Sequence, residues 1–268
     1  MTGTRVVAAA VPAGVPVPSW WGVALSLALV AIAGFVVLRA RLGLTRELAV
    51  AAVRAAVQLT AVGYLLSLIF THTGIPGSLG WVAAMVLIAG RVGARRGRGL
   101  PRAQLIATCS VGLATAATLG LLVGSGVISS RPIVVIPIGG MVVNAAMTAT
   151  SVTMLRLRDE VASSRRQVEA RLALGLPGAE AFSPHARAAL RTSLAPQIDS
   201  ASTVGLIALP GAMTGLIIAG VSPELAIRYQ IIVVYLGLGA AAMAAVTVVT
   251  LGQRLLFDEA HRMRPLET

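Results

Sequence analysis

The sequence contains no lysine: all 22 of its basic residues are arginine. A Walker-type phosphate loop needs its lysine, and imine chemistry needs an amine. Neither function can therefore be built from this chain's own side chains. Cysteine is nearly absent too. The lone Cys109 sits in an apolar run and excludes an internal disulfide. Charged residues make up only 12%, about half the share of an ordinary soluble domain. The three histidines, His72, His185 and His261, fall in separate loops or the tail, with no cysteine beside them. That pattern argues against a structural zinc site. It also leaves a hydrolase within the apolar runs without a base.

Long apolar runs are plentiful. Several approach the roughly 20 residues a helix needs to cross the hydrocarbon core. Water is missing there, so each backbone amide must be satisfied inside its own segment. Solid apolar runs do that as helices, whereas barrel strands alternate. The sequence predicts an all-α, polytopic membrane helix bundle of about seven transmembrane helices. A loose tail (1–19), interrupted by Pro12, Pro16 and Pro18, precedes five spans within 20–155. A polar stretch (156–195) separates these from two more spans (196–257), and a short tail (258–268) ends the chain. The spans fall near 20–38, 48–70, 78–90, 104–124, 133–155, 196–220 and 226–257. The third is short for a crossing.

The net charge of +12 could suggest nucleic acid, but its distribution points elsewhere. The first, third and fifth loops and the C-terminal tail hold 18 arginines, while the other side holds 3 and Arg54 lies within a span. The positive-inside bias then places the N-terminus outside and the C-terminus in the cytoplasm of a cell inner (plasma) membrane. Small residues recur every fourth position at Gly112, Ala116, Gly120 and Gly124, and again at Gly211 and Gly215. That spacing predicts close helix packing.

Polar groups at membrane depth are costly and mark pathways. Asn144 lies mid-way along the fifth span, flanked by Met141 and Met147. Arg54 and Gln58 sit one turn apart in the second. Gln197 and Asp199 open the sixth, where Asp199 near a helix N-terminus would complement the macrodipole. Pro210-Gly211 falls near the centre of the sixth span and predicts a kink or break, the device by which transporters free backbone groups to bind or flex. Met213 follows it. Each of these residues has an ordinary packing, capping or snorkelling reading beside the pathway one. The stretch 156–195 reads as two amphipathic helices. The first ends at Gly175 and Pro177, and the second starts at Ser183-Pro184. Such a hairpin presents an apolar face to a docking partner.

A set of motifs then becomes specific. Pro137-x-x-Gly140-Met141-x-x-Asn144 is followed by Arg156-Leu157-x-x-Glu160 and by Val168-Glu169-x-x-Leu172-Ala173-Leu174-Gly175. Next come Gly205, Leu209-Pro210-Gly211-x-Met213-Thr214-Gly215, Ala219-Gly220-x-x-Pro223 and Arg228-Tyr229-Gln230. Over about Glu47 to Phe257 this order resembles the FetB-type permeases of ABC transporters, assigned to iron export. The plant aluminium-sensitivity membrane proteins fall in the same group. The resemblance implies a non-catalytic transmembrane subunit that exports a metal cation. A separate ATPase subunit would bind the ATP, and two copies of this chain would assemble with two ATPase subunits. No cofactor is implied in this chain. By analogy with ABC permeases, Glu169, Ala170, Leu174 and Gly175 would form the coupling element.

The chain departs from the family pattern at four places. Val142-Val143 stands for Leu-Gly, Thr148 for a second Asn, Asp199 for Asn and Leu216 for Gln. These changes alter polar groups and put an identical substrate in question. The alternative is a secondary transporter of a small cation or solute working without an ATPase. It would want a carboxylate pair at the midplane, which the sequence does not supply.

Overall fold

The computed structural model describes residues 19–41, 43–72, 74–207, 209–258, 260, 262–264 and 266. The N-terminal tail, apart from Ser19, and His261 lie outside the described residues. Eight helices follow in chain order among the described residues: α1 (Trp20–Arg39), α2 (Thr45–His72), α3 (Ile75–Arg96), α4 (Ala103–Gly124), α5 (Pro132–Ala173), α6 (Gly178–Thr203), α7 (Gly211–Ile218) and α8 (Pro223–Leu256). Six of them, all but α6 and α7, are long and apolar enough to cross a membrane. The chain is a polytopic helical membrane protein.

Two compact units divide the chain, one comprising residues 1–73 with 216–221 and the other 74–215 with 222–268. The first contains the α1–α2 pair. Ser19 caps α1 by accepting the Gly22 N–H at 3.3 Å, satisfying one of the orphan amides at a helix start. Leu48 packs where Gly34 leaves room, 4.0 Å from the position a Cβ would take. Neither helix has buried residues in its apolar stretch.

The second unit carries the core, in two layers. Toward the arginine-rich end, Met154, Leu157, Val161 and Val168 of α5 pack with Phe182 of α6 and Val248 and Leu256 of α8. Toward the other end, Val82 of α3 and Val111 and Ala114 of α4 meet Val142 and Ala146 of α5 and Ala240 and Ala244 of α8. Alanine every fourth residue on α8 lets that helix approach α5 closely, which is how packing is gained where lipid supplies no hydrophobic drive.

Three expectations differ from the structure. The third span is not short. α3 continues through Arg91, Arg95 and Arg96 to 22 residues, because arginine stems can lie along an apolar helix while the charge reaches the boundary. The second helix of the 156–195 segment starts at Gly178 rather than Ser183, with Pro177 as its extended N-cap and Pro184 and Pro196 inside it. Complete burial of Ala181 and Phe182 outweighs the backbone hydrogen bond that Pro184 cannot make. Within the sixth span the helix is interrupted: α6 ends at Thr203 and α7 begins at Gly211. Finally, the small-residue stripes of α4 and α7 make no tight contact among the described residues. A Cβ on Gly120, Gly124, Gly211 or Gly215 would meet nothing within 4 Å, and one on Gly112 would meet only Val86, at 3.5 Å. The close approach of α3 to α4 occurs instead at Gly90, where a Cβ would fall 2.8 Å from the Thr108 Cα.

α5 runs unbroken for 42 residues, about 63 Å at 1.5 Å per residue. That is about twice the hydrocarbon thickness. Its C-terminal half therefore projects well beyond any membrane its N-terminal half crosses, and α6 returns beside it.

Candidate functional site

Two places gather the residues that the sequence singled out. The first surrounds the interruption between α6 and α7. Gly205 there has φ +84, a left-handed conformation natural only to glycine. The break thus begins at Val204–Gly205, upstream of the predicted Pro210-Gly211, and Pro210 instead stands just before α7. The Pro210 carbonyl accepts both the Thr214 N–H at 3.1 Å and the Thr214 hydroxyl at 3.2 Å. A chamber of about 450 Å³ opens beside the break, lined by Val204, Pro210 and Met213 together with Gln230 and Tyr235 of α8.

Gln230, which the sequence marked only through the Arg228-Tyr229-Gln230 motif, was not among the expected pathway residues. Only 9% of it is exposed, and its Oε1 has no hydrogen-bond partner among the described residues. A buried acceptor left unpaired costs about 1–3 kcal/mol, so its presence in an apolar wall calls for a reason. The signal in the sequence was an amide just after Arg228-Tyr229, at the start of the apolar run of the last span.

Asp199 does not cap a helix N-terminus. It lies near the C-terminal end of α6, exposed, and its carbonyl accepts the Thr203 hydroxyl at 2.9 Å. A carboxylate at the negative end of the helix dipole is disfavoured, so the macrodipole offers no structural reason for it. Asn144 and Met141 share one exposed face of α5 with Thr148, whereas Met147 is half-buried against the core. Arg54 and Gln58 are exposed on α2, in the other unit. Among the described residues, no three His, Cys, Asp or Glu side chains group as a metal site.

The second place is the far end of α5. Helix α5 closes in a Schellman motif: the Gly175 N–H donates to the Leu172 carbonyl at 2.9 Å and the Leu176 N–H to that of Arg171 at 3.3 Å. Gly175 makes this turn at φ +87, which a side chain would resist. The returning α6 is tied back by three contacts. The Arg171 guanidinium donates to the Ala181 carbonyl at 3.3 Å. The His185 ring N–H at Nδ1 donates to Glu160 Oε2 at 3.0 Å. Phe182 is fully buried, with its ring edge-on to Phe257, the centroids 6.5 Å apart.

The chain beyond α8 folds back as a strap. Phe257 and Met263 pair in an antiparallel bridge, and Asp258 accepts the Arg262 backbone N–H at 2.7 Å and its guanidinium Nε at 2.9 Å. The backbone hydrogen bond from Arg262 is the largest of the effects that hold the Asp258 carboxyl below its ordinary value of 3.8. Between strap and turn lies a hollow of about 680 Å³, lined by Arg165, Glu169, Gly175, Pro177, Arg262 and Met263. Glu169 pairs with Arg165 at 2.8 Å, both half-exposed. Beside it Leu174 stands 81% exposed at the tip, and Ala170 is exposed as well. The contribution of the strap was not legible, since neither composition nor spacing marks Phe257, Asp258, Arg262 and Met263 as a paired element.

Comparison with known proteins completes the picture. The uncharacterised protein family UPF0014 matches over residues 20–257. The rice UPF0014 membrane protein STAR2 is 42% identical over 219 residues, covering 82% of this chain and 77% of that one. The Arabidopsis thaliana protein ALUMINUM SENSITIVE 3 is 37% identical over 245 residues, covering 90% and 88%. The Escherichia coli "Probable iron export permease protein FetB" is 33% identical over 240 residues, covering 90% and 93%. No solved structure matches the chain.

Proposed function

The chain belongs to the UPF0014 family of membrane proteins, and on that footing we propose that it is the transmembrane subunit of an ABC exporter for a metal cation such as iron. It sits in the plasma membrane with its arginine-rich end in the cytoplasm and works as two copies with two separate ATPase subunits. The observation that carries this reading is the projecting α5–α6 turn. An 81% exposed leucine, Leu174, stands at the tip of a helix that runs far past the membrane, beside a hollow lined by Glu169 and Gly175. An isolated soluble tip gains nothing from an exposed leucine, whereas a docked ATPase would cover it. The iron assignment rests on the name of the E. coli relative.

ATP-driven changes in the ATPase pair would bias the permease between inward- and outward-facing states only through contacts that differ between them. The Schellman turn fits that role, since it is rigid and tied to the core through Arg171, His185 and Phe182. At the other end of α6 the interrupted sixth span offers the compliance. Gln230, Met213 and the backbone around Pro210 supply amide, thioether and carbonyl donors to a cargo there. Asn144 faces outward from α5, and a polar group at membrane depth is not left to lipid. This supports a pathway bounded by more than one copy of the chain.

The test is efflux of preloaded iron from proteoliposomes containing the chain and its ATPase. ATP should drive release, and Gln230→Leu should abolish it while leaving ATPase binding intact. Release driven equally by an ion gradient without the ATPase would overturn the proposal in favour of a secondary transporter.

A further inference from the structure

We propose that the elbow between α3 and α4 binds an anionic phosphate group, presented as the headgroup of an anionic membrane lipid. The elbow forms a hollow of about 460 Å³ whose rim is Arg91, Arg95, Arg98 and Arg102, with Leu100 and Gln104. Four guanidinium groups around one depression repel each other, and Arg91 and Arg95 stand at the i,i+4 spacing where like charges destabilise a helix. No ion pair of the described residues offsets this: those present are Arg165–Glu169, His185–Glu160 and Arg262–Asp258. None of the four makes a side-chain hydrogen bond among the described residues.

The setting is rigid where a solvated loop would be loose. Leu100 is 2% exposed and Pro101 is buried. Gly97 lies so close to α5 that a Cβ would come within 3.1 Å of the Met154 Cβ. Arg102, the residue before α4, is held at φ 51, ψ 37, a left-handed conformation that glycine or asparagine would take with less strain. α4 opens there without a side-chain cap and without an acidic residue in its first turn, so its free amides and dipole add to the positive field. Topology asks only for positive charge on one side of the membrane. It does not ask for four arginines around one fixed hollow.

The surroundings select a lipid over a free ion. One turn before Arg91 on the same face of α3 are Leu87 and Ile88, 54% and 63% exposed; one turn after Arg102 on α4 is Leu105, 52% exposed. Both helices are membrane-crossing by length and composition. The hollow therefore marks the boundary between apolar surface and water. A phosphodiester in it would leave its acyl chains lying on Leu87, Ile88 and Leu105, which inorganic phosphate has no use for. Bidentate guanidinium contacts suit the phosphate oxygens, and basic pockets at helix ends bind anionic headgroups in this way.

The test places the full chain in nanodiscs of phosphatidylcholine with or without phosphatidylglycerol, reading bound lipid by native mass spectrometry and the thermal midpoint alongside. The wild type should retain phosphatidylglycerol and melt higher with it. Arg98→Gln with Arg102→Gln should weaken retention about thirtyfold, whereas Arg187→Gln with Arg191→Gln, which removes the same charge at two exposed positions of α6, should retain the lipid. Should the glutamine pair fail to insert, Arg98→Lys with Arg102→Lys keeps the charge count and should still lose affinity, since lysine lacks the planar fork. Equal loss in both glutamine pairs, full retention by the lysine pair, or no preference for phosphatidylglycerol would overturn the proposal. So would inorganic phosphate reproducing the stabilisation in pure phosphatidylcholine, or the arginines proving necessary only for ATPase capture.

Discussion

Gly178→Ala is the substitution whose effect can be worked most directly from the geometry. A Cβ at that position would lie 2.6 Å from both Cγ and Cδ1 of Phe257 and 3.1 Å from its Cδ2. The ring cannot swing freely, because Phe257 is only 8% exposed, is met edge-on by Phe182 and is paired with Met263. Overpacking of this kind costs about 1–3 kcal/mol. The strap, held outside any helix by the Asp258–Arg262 pairing and the buried Phe257 and Met263, is the element that yields. Local opening should then rise by roughly five- to a hundred-and-fiftyfold. Amide hydrogen exchange reads this at Asp258 and Arg264, whose N–H groups donate to the Arg262 and Leu256 carbonyls at 3.1 and 2.8 Å. Phe257→Leu on top of Gly178→Ala should restore most of the protection. Unchanged exchange in the single variant would refute the reasoning and show that the α6 start, not the strap, absorbs the contact.

Gly90→Ala should lower the detergent melting temperature sharply, since the new Cβ meets the backbone of Thr108, while Gly120→Ala and Gly124→Ala, which meet nothing within 4 Å, should leave it unchanged. Gln230→Leu should hold or raise the melting temperature by removing an unpaired buried acceptor, as it abolishes transport; a large loss of stability would mean that Gln230 is paired in the working protein. Asn144→Ala, on an exposed face, should leave folding intact and reduce transport, measured as efflux against protein level. Acidification should release the strap. Its carboxyl is held below 3.8, so its stabilising contribution is complete above that value and is lost as pH falls from 3.8 toward the lowered folded value. Exchange at Arg262 should therefore rise in that window, and Asp258→Asn should abolish the pH step.

The helices of the membrane core were legible because lipid leaves a chain few options: apolar runs of crossing length must be helices, and six of them are. What pattern could not supply was how those helices meet. The four-residue spacing of Gly112, Ala116, Gly120 and Gly124 carried the usual signature of tight packing, yet the close contacts form at Gly90, Gly97 and Gly252, chosen by which side chains stand opposite. Helix limits set by tertiary burial were also hidden. Ser183-Pro184 is a sound local start signal, but Phe182 finds a buried place between α5 and α8, and α6 begins at Gly178, more than a turn earlier. Asp199 was misplaced for the same reason, because whether a residue opens or closes a helix depends on where the neighbouring break falls. Gly175 was readable, since a left-handed C-terminal turn is a local event. Gln230 stood at the head of an apolar run, one of two glutamines in the last span, and only its burial with an Oε1 unpartnered among the described residues sets it apart.

The central claim, that the α5–α6 turn is where a separate ATPase docks, is tested most directly by purifying the tagged full chain from its native membrane in mild detergent and identifying stoichiometric partners. The account predicts a P-loop ATPase in equal amount, lost from Leu174→Asp and Glu169→Arg variants that remain folded and membrane-inserted. A chain that purifies alone, or one whose ATPase stays bound in both variants, would contradict it.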